Sequence, residues 1–219
     1  MFNLMGVKYK DILQIDKLTI PKQRITSIVG ESGSGKTTLL KLLNKMINCD
    51  GGEIFFKGQS LEEIDPIKLR REVVMLPQNP PIFMGTVKDN LLIGLQFSEK
   101  PNVDNNKLLE VLKTVYLEKD LNDNANNLSG GEKQRLALGR ILLMEPEVFL
   151  LDEPSSALDE ETEKYVIENL VQYIKRKGKT LVMITHSSKV ADTFSDNIIV
   201  IEKGKIKNNE VKITDGKNY

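Results

Sequence analysis

Gly30-Glu31-Ser32-Gly33-Ser34-Gly35-Lys36-Thr37 decides the fold. It fits the pattern G-x-x-x-x-G-K-[ST], and its flanks are the ones such a loop needs. Ahead of it, Ile25-Thr26-Ser27-Ile28-Val29 is rich in β-formers and stops at Gly30. Behind it, Leu39, Leu40, Leu42, Leu43, Met46 and Ile47 recur with helical period, predicting a helix from Lys36 to Ile47. Glycines let backbone N–H groups curl around a phosphate, and a helix N-terminus adds partial positive charge. Gly30, Glu31, Ser32, Gly33, Ser34, Gly35, Lys36, Thr37 and Thr38 are therefore expected to cradle the phosphates of a nucleotide. Lys36 would reach the β- and γ-phosphates and the Thr37 hydroxyl would ligate Mg²⁺. A glycine-rich turn that binds nothing would not need the order strand, motif, helix.

Outward from this loop, residues 12–29 read as strand material, and Gly52 to Gly58 as a short strand bounded by glycine. Val73-Val74-Met75-Leu76, Val148-Phe149-Leu150-Leu151, Leu181-Val182-Met183-Ile184-Thr185 and Asn197 to Ile201 are strands, the first three continuously apolar in the manner of buried strands. Amphipathic helices are predicted over 108–116, roughly 131–144, and 160–176, with a polar loop at 120–127. The stretch 79–106 is punctuated by Pro80, Pro81, Gly85, Gly94 and Pro101, which predicts short helices and loops. Such alternation implies a mostly parallel α/β sheet with helices on both faces, interrupted at 79–145 by a helical insertion between the Val73–Leu76 and Val148–Leu151 strands. A final short strand follows the Lys203-Gly204-Lys205 turn, and the polar stretch from Asn208 is expected to fray.

The composition agrees with a globular chain: 219 residues, 40% apolar, with 31 basic against 31 acidic side chains. Zero net charge supplies no electrostatic reason to expect nucleic acid or an anionic membrane as a partner. The single cysteine, Cys49, excludes an internal disulfide and suits a reducing compartment. No apolar run is long enough to cross a bilayer and no signal-peptide core precedes Lys8, Lys10 and Asp11, so a cytosolic location is expected.

Two further segments carry chemistry. Val148 to Leu151 ends in Asp152-Glu153. In P-loop enzymes such a strand is expected beside the P-loop strand, delivering its Asp to Mg²⁺. Glu153, just past the strand, is placed to accept a proton from an attacking water. Alone, L-L-D-E is a common strand end; coupled to the phosphate loop it points to function. Leu128-Ser129-Gly130-Gly131-Glu132-Lys133-Gln134-Arg135 opens a helix, because Ser129 and Glu132 form a capping box. Paired glycines weaken a helix start, which makes sense where the backbone must approach something closely. Bare amides there make an anion site.

The phosphate loop, L-S-G-G-E-K-Q-R and L-L-D-E, in this order and spacing, resemble the nucleotide-binding subunits of ABC transporters, from about Tyr9 to Ile206. The resemblance implies a P-loop NTPase of the ABC ATPase fold: a RecA-like, mostly parallel core sheet, an N-terminal antiparallel β part and an inserted helical subdomain. It implies one domain over 1–219, with a core at 1–78 and 146–207, a helical subdomain at about 79–145, and a polar tail at 208–219. Gln78, 42 residues after Lys36, resembles the Q-loop glutamine that touches Mg²⁺ and the attacking water. His186, the only histidine and 34 residues after Asp152, resembles the switch histidine at the γ-phosphate. Ser156-Ala157-Leu158-Asp159 resembles the D-loop, though Asp159 would also suit a helix cap. Tyr9 resembles the adenine-stacking aromatic, or is an ordinary strand residue, with Phe2 also near.

By the same resemblance, Lys36, Thr37, Gln78 and Asp152 hold phosphates and Mg²⁺, Glu153 polarises the water, and His186 steadies the γ-phosphate. Ser129, Gly130 and Gly131 close the site of a partner copy, so two copies sandwich two ATP molecules. The power stroke would drive a permease on a separate polypeptide, with the ATPase peripheral on the inner face of the cell membrane. Ile82, Phe83 and Met84 either pack under the helical subdomain or line a groove for that permease, and both roles are compatible. A soluble ABC ATPase of iron–sulfur assembly is the alternative, and a P-loop nucleotide kinase a weaker one, since a kinase needs no L-S-G-G signature. The wording of 75–91 and 155–159 also resembles small bacterial subunits paired with metal- or iron-export permeases.

Overall fold

The structure, a computed structural model, describes residues 1–211. Two sheets form its frame. The first is antiparallel, with strand order β2-β1-β4-β5: β1 (Phe2–Tyr9), β2 (Leu13–Ile20), β4 (Gly51–Phe56) and the two-residue β5 (Gln59–Ser60). The second has the order β10-β9-β3-β8-β7-β6: β3 (Ile25–Val29), β6 (Val73–Leu76), β7 (Val148–Asp152), β8 (Thr180–Ile184), β9 (Asn197–Glu202) and β10 (Lys205–Val211). All its pairings are parallel except β9 with β10.

Side chains alternate across a strand, and that alternation splits the core in two. Phe149, Leu151, Leu181 and Met183 face one way, onto α3 (Val87–Phe97), α4 (Asn105–Thr114), α5 (Gly130–Met144) and α6 (Glu160–Arg176). Val148, Leu150, Val182 and Ile184 face the other way, onto α1 (Lys36–Leu43) and the antiparallel sheet. Burial on both faces is why these strands are continuously apolar.

Several expectations need correction. The P-loop strand β3 is not beside the Asp152 strand: β8, buried along all five residues, lies between them. The helix after the loop stops at Leu43 rather than Ile47. Lys45 turns into the left-handed region (φ 55°) and Met46 is 57% exposed, because the chain must reverse to enter β4. Strand structure begins at Phe2, not at residue 12. The helix over 108–116 ends at Thr114, and Tyr116 stacks outside it on Tyr165, ring centroids 5.8 Å apart. The 120–127 loop closes on a 3₁₀ turn, Ala125–Asn127. Residues 208–211, expected to fray, pair with β9; the rest of the expected tail lies outside the described residues.

Two helices were not anticipated. In α2 (Pro66–Glu72), Asp65 accepts from the Ile67 and Lys68 amides and Pro66 occupies the first turn. In α7 (Ser188–Phe194), Ser187 accepts from the Val190 amide. No helix among the described residues is long and apolar enough to cross a membrane.

Candidate active site

The phosphate loop leaves β3 at Gly30, whose backbone (φ 149°) only glycine tolerates there. A Cβ would lie 2.1 Å from the Ile201 carbonyl oxygen. Gly35, also left-handed, precedes α1 with no side-chain cap, so the first-turn amides of α1 are left for another acceptor. Lys36 is buried, and its Nζ donates to the carbonyls of Gly30 (2.8 Å) and Glu31 (2.7 Å), which holds the ammonium inside the loop. The Ser34 hydroxyl is buried without any partner. An orphaned hydroxyl beside uncapped amides and a held ammonium suits a multivalent oxyanion. Glu31, Ser32 and Gly33 form the exposed rim, with Thr37 and Thr38 half-buried.

Asp152, at the end of β7, is buried, and burial pushes its carboxyl above the ordinary range against the hydrogen bond from Thr37. Glu153 alongside adds to the upward shift, and Lys41 and Lys36 oppose it. One carboxylate and one hydroxyl, both hard oxygens, fit Mg²⁺, which takes its remaining ligands from phosphates and water.

The next residue draws three distant positions together. Glu153 sits at φ 52°, and its amide donates to Ile184 O at 3.2 Å. Its Oε2 accepts from Gln78 Nε2 at 2.7 Å, and its Oε1 lies 2.8 Å from His186 Nε2. The three residues expected to be catalytic thus meet, although 75 and 33 positions separate Gln78 and His186 from Glu153.

The other candidates sit around this centre. Tyr9 ends β1, partly buried on the antiparallel side of the core, with Lys10 Nζ 5.3 Å from its ring. Its hairpin flanks the phosphate loop: a Cβ on Gly35 would meet Leu13 Cδ1 at 2.9 Å and Ile12 O at 3.2 Å. Ser129 caps α5 in a capping box, accepting from the Glu132 amide (3.3 Å) while its own amide donates to Glu132 Oε2 (2.8 Å). Those bonds and Lys119, 3.0 Å away, hold the Glu132 carboxyl down at about 2. Gly130 is exposed, with nothing within 4 Å of an added Cβ. Gly131 is hemmed in by its own chain, since a Cβ there would meet Ala157 O at 2.9 Å. Asp159 caps α6, accepting from the Thr162 amide (3.0 Å) and hydroxyl (2.7 Å), which lowers its pKa.

Two buried polar residues were missed. Arg140 donates to Asn90 O, Asn90 Oδ1 and Pro81 O and lies 4.8 Å from the Phe83 ring centre, and burial lowers its pKa to about 10. Gln134 bridges Glu153 and Ala157. Arg140 is a lone charge in the apolar run Leu136 to Met144, which was the available signal; Gln134, inside the polar run Glu132 to Arg135, carried none. Ile82 packs on the helical core, whereas Met84 is 89% exposed.

A phosphate loop on a parallel sheet, a carboxylate pair past a buried strand and a glycine-led helix in an inserted helical layer define an ABC-type ATP-binding cassette. The chain belongs to the ABC transporter family, whose model matches residues 13–156. It is 39% identical over 204 residues to the lactococcin transport/processing ATP-binding protein LcnC-like of Lactococcus lactis, covering 90% of this chain and 28% of that protein. It is 39% identical to ABC transporter I family member 17 of Arabidopsis thaliana, covering 89% of this chain and 74% of that protein. The ATP-binding cassette MJ0796, in a dimeric post-hydrolysis state bound to ADP and Pi, superposes with a TM-score of 0.86 at 29% identity, covering 97% and 99% of the two chains. The chain thus spans under a third of the length of the lactococcin relatives it matches.

Proposed function

We propose that the chain binds and hydrolyses ATP and that two copies, or this chain and a homologous cassette, enclose the nucleotides between them. The observation that carries this is the Glu153 carboxylate, held between Gln78 and His186 one residue beyond Asp152. The phosphates of ATP lie against the 30–37 loop, where Lys36 and the first-turn amides of α1 compensate their charge. Thr37, Asp152 and Gln78 would hold Mg²⁺, which would supply charge neutralisation for the phosphates. Glu153 accepts the proton of the attacking water, Gln78 orients that water, and His186 donates to the γ-phosphate as charge develops. Tyr9 stacks on the base.

Ser129 and Gly130 stand exposed at the start of α5, with open space around Gly130, and they serve the ATP of a second copy. Asp159, at the start of α6, lines the same interface. The domain works as a unit of core (1–78, 146–207) and helical layer (about 79–145). Relatives named as transport proteins support coupling to a membrane permease. The cassette then sits peripherally at the cytoplasmic face, with Met84, 89% exposed beyond Gln78, as an apolar contact for the permease.

Glu153→Gln keeps the shape and removes the basicity. ATP should still bind, turnover should fall at least about a hundredfold, and an ATP-bound dimer should accumulate. Near-normal phosphate release by this variant removes Glu153 from the role.

A further inference from the structure

We propose that Gln134 is a positioning residue that fixes the backbone of Glu153 and ties it to the start of helix α5. The inference rests on Glu153 being the proton acceptor. Gln134 lies one turn beyond Ser129-Gly130-Gly131 and is 2% exposed. A buried amide group must be paired at both ends. Its Nε2 donates to the Glu153 carbonyl at 2.7 Å, and its Oε1 accepts from the Ala157 amide at 3.3 Å. Gly131 permits this reach, because the Ala157 carbonyl comes too close there for any side chain.

Glu153 needs such a hold. A non-glycine residue at φ 52° persists only where its surroundings over-determine it. Its amide is fixed by Ile184, and its carbonyl is fixed by Gln134 together with the Ser156 amide and hydroxyl, each at 3.2 Å. The two flanking peptide planes set the direction of Cα–Cβ, and so the place of the carboxylate between Gln78 and His186. Ser156 belongs to the same short turn as Glu153, and Ile184 to the neighbouring strand. Gln134 alone of these comes from the inserted helical layer. A shift of the exposed α5 start is therefore felt at the Glu153 carbonyl through one side chain. If a partner's ATP seats on Ser129 and Gly130, Gln134 joins that ATP to the base serving this chain's own.

The test uses the intact chain. Gln134→Met keeps length and burial but removes both hydrogen bonds. Gln134→Glu keeps the acceptor for Ala157 and loses the donor to Glu153. Both should lower kcat about tenfold or more while KM and the affinity for ATP stay within about twofold. Amide exchange at Ala157 should quicken in the Met variant and remain slow in the Glu variant. On a Glu153→Gln background, Gln134→Met should cost no further turnover. Wild-type kcat in both variants overturns the proposal. So does a parallel loss of ATP affinity and thermal stability, which marks ordinary packing, or an undiminished effect on the Glu153→Gln background. Glu153→Gln alone separates the two ideas: if it hydrolyses normally the base assignment falls, whereas a dead Glu153→Gln beside a fully active Gln134→Met sinks only the positioning role.

Discussion

The helix starts at Lys36 and Gly130 use the same words, serine and glycine ahead of a helix, and end in opposite physical states. The first faces inward. Its glycine at position 30 is pressed against Ile201, its serine at 34 is buried without a partner, and α1 has no side-chain cap. The second faces outward. Gly130 has open space around it, Ser129 is spent in a capping box, and Glu132 and Lys119 complete the turn. The first is a cradle held by its own chain, its first-turn amides uncapped by any side chain. The second is a self-sufficient helix start with an exposed surface. Glycine at a helix start therefore says little until its neighbours are known.

The largest effect should come from exchanging these roles between chains. Lys36→Ala should weaken nucleotide binding and lower hydrolysis at least about a hundredfold, with the circular dichroism spectrum unchanged. Ser129→Arg should bind ATP but neither dimerise nor hydrolyse. Mixed together, the two inactive variants should recover part of the activity, because one composite site then has both halves intact. Full activity of Ser129→Arg at concentrations too low for a dimer would erase the distinction between an inward and an outward helix start.

Alanine scanning of the glycines should sharpen it. Gly30→Ala must move the Ile201 carbonyl and is expected to cost about 1–3 kcal/mol in urea titrations. Gly130→Ala meets nothing in its own chain and should leave stability within about 0.5 kcal/mol or raise it slightly, as alanine suits a helix better. If Gly130→Ala proves as destabilising as Gly30→Ala, then α5 does not begin in open space.

The smallest effect is electrostatic. The Glu132 carboxyl titrates near 2 in the folded chain and at its ordinary 4.5 when unfolded. Between those values the unfolded chain takes up a proton that the folded chain refuses. This stabilisation is whole above about pH 4.5 and is lost as pH falls toward 2. Solvent screening at this surface cap should hold it to about 1 kcal/mol, and Glu132→Gln, which keeps a capping-box acceptor, should flatten that part of the stability profile. Parallel profiles for the two proteins would mean that the cap is not held by charge.

Much of this was legible in residues alone. The 30–37 motif with its strand and helix, the capping box at 129–132 and the three continuously apolar strands are local patterns, and local patterns survive without a partner in view. Helix α5 begins within a residue of its expected start because Ser129 and Glu132 bond across a single turn. Helices α2 and α7 were equally signalled, by Asp65-Pro66 and by Ser187, but at seven residues each they are too short for periodicity to speak.

What the sequence by itself determined was each segment's type, its ends where a cap marks them, and which residues are candidates for phosphate and proton chemistry. Tertiary structure alone decided that β8 separates the P-loop strand from the Asp152 strand, since any buried apolar strand satisfies the same pattern and pairing is a choice among neighbours distant in the chain. It alone placed Gln78 and His186 on the two oxygens of Glu153 and ran Gln134 from one layer to the other. Propensity and capping act over a few residues, whereas burial and hydrogen-bond satisfaction are properties of the packed whole, and a buried glutamine's partners exist only once the layers have met.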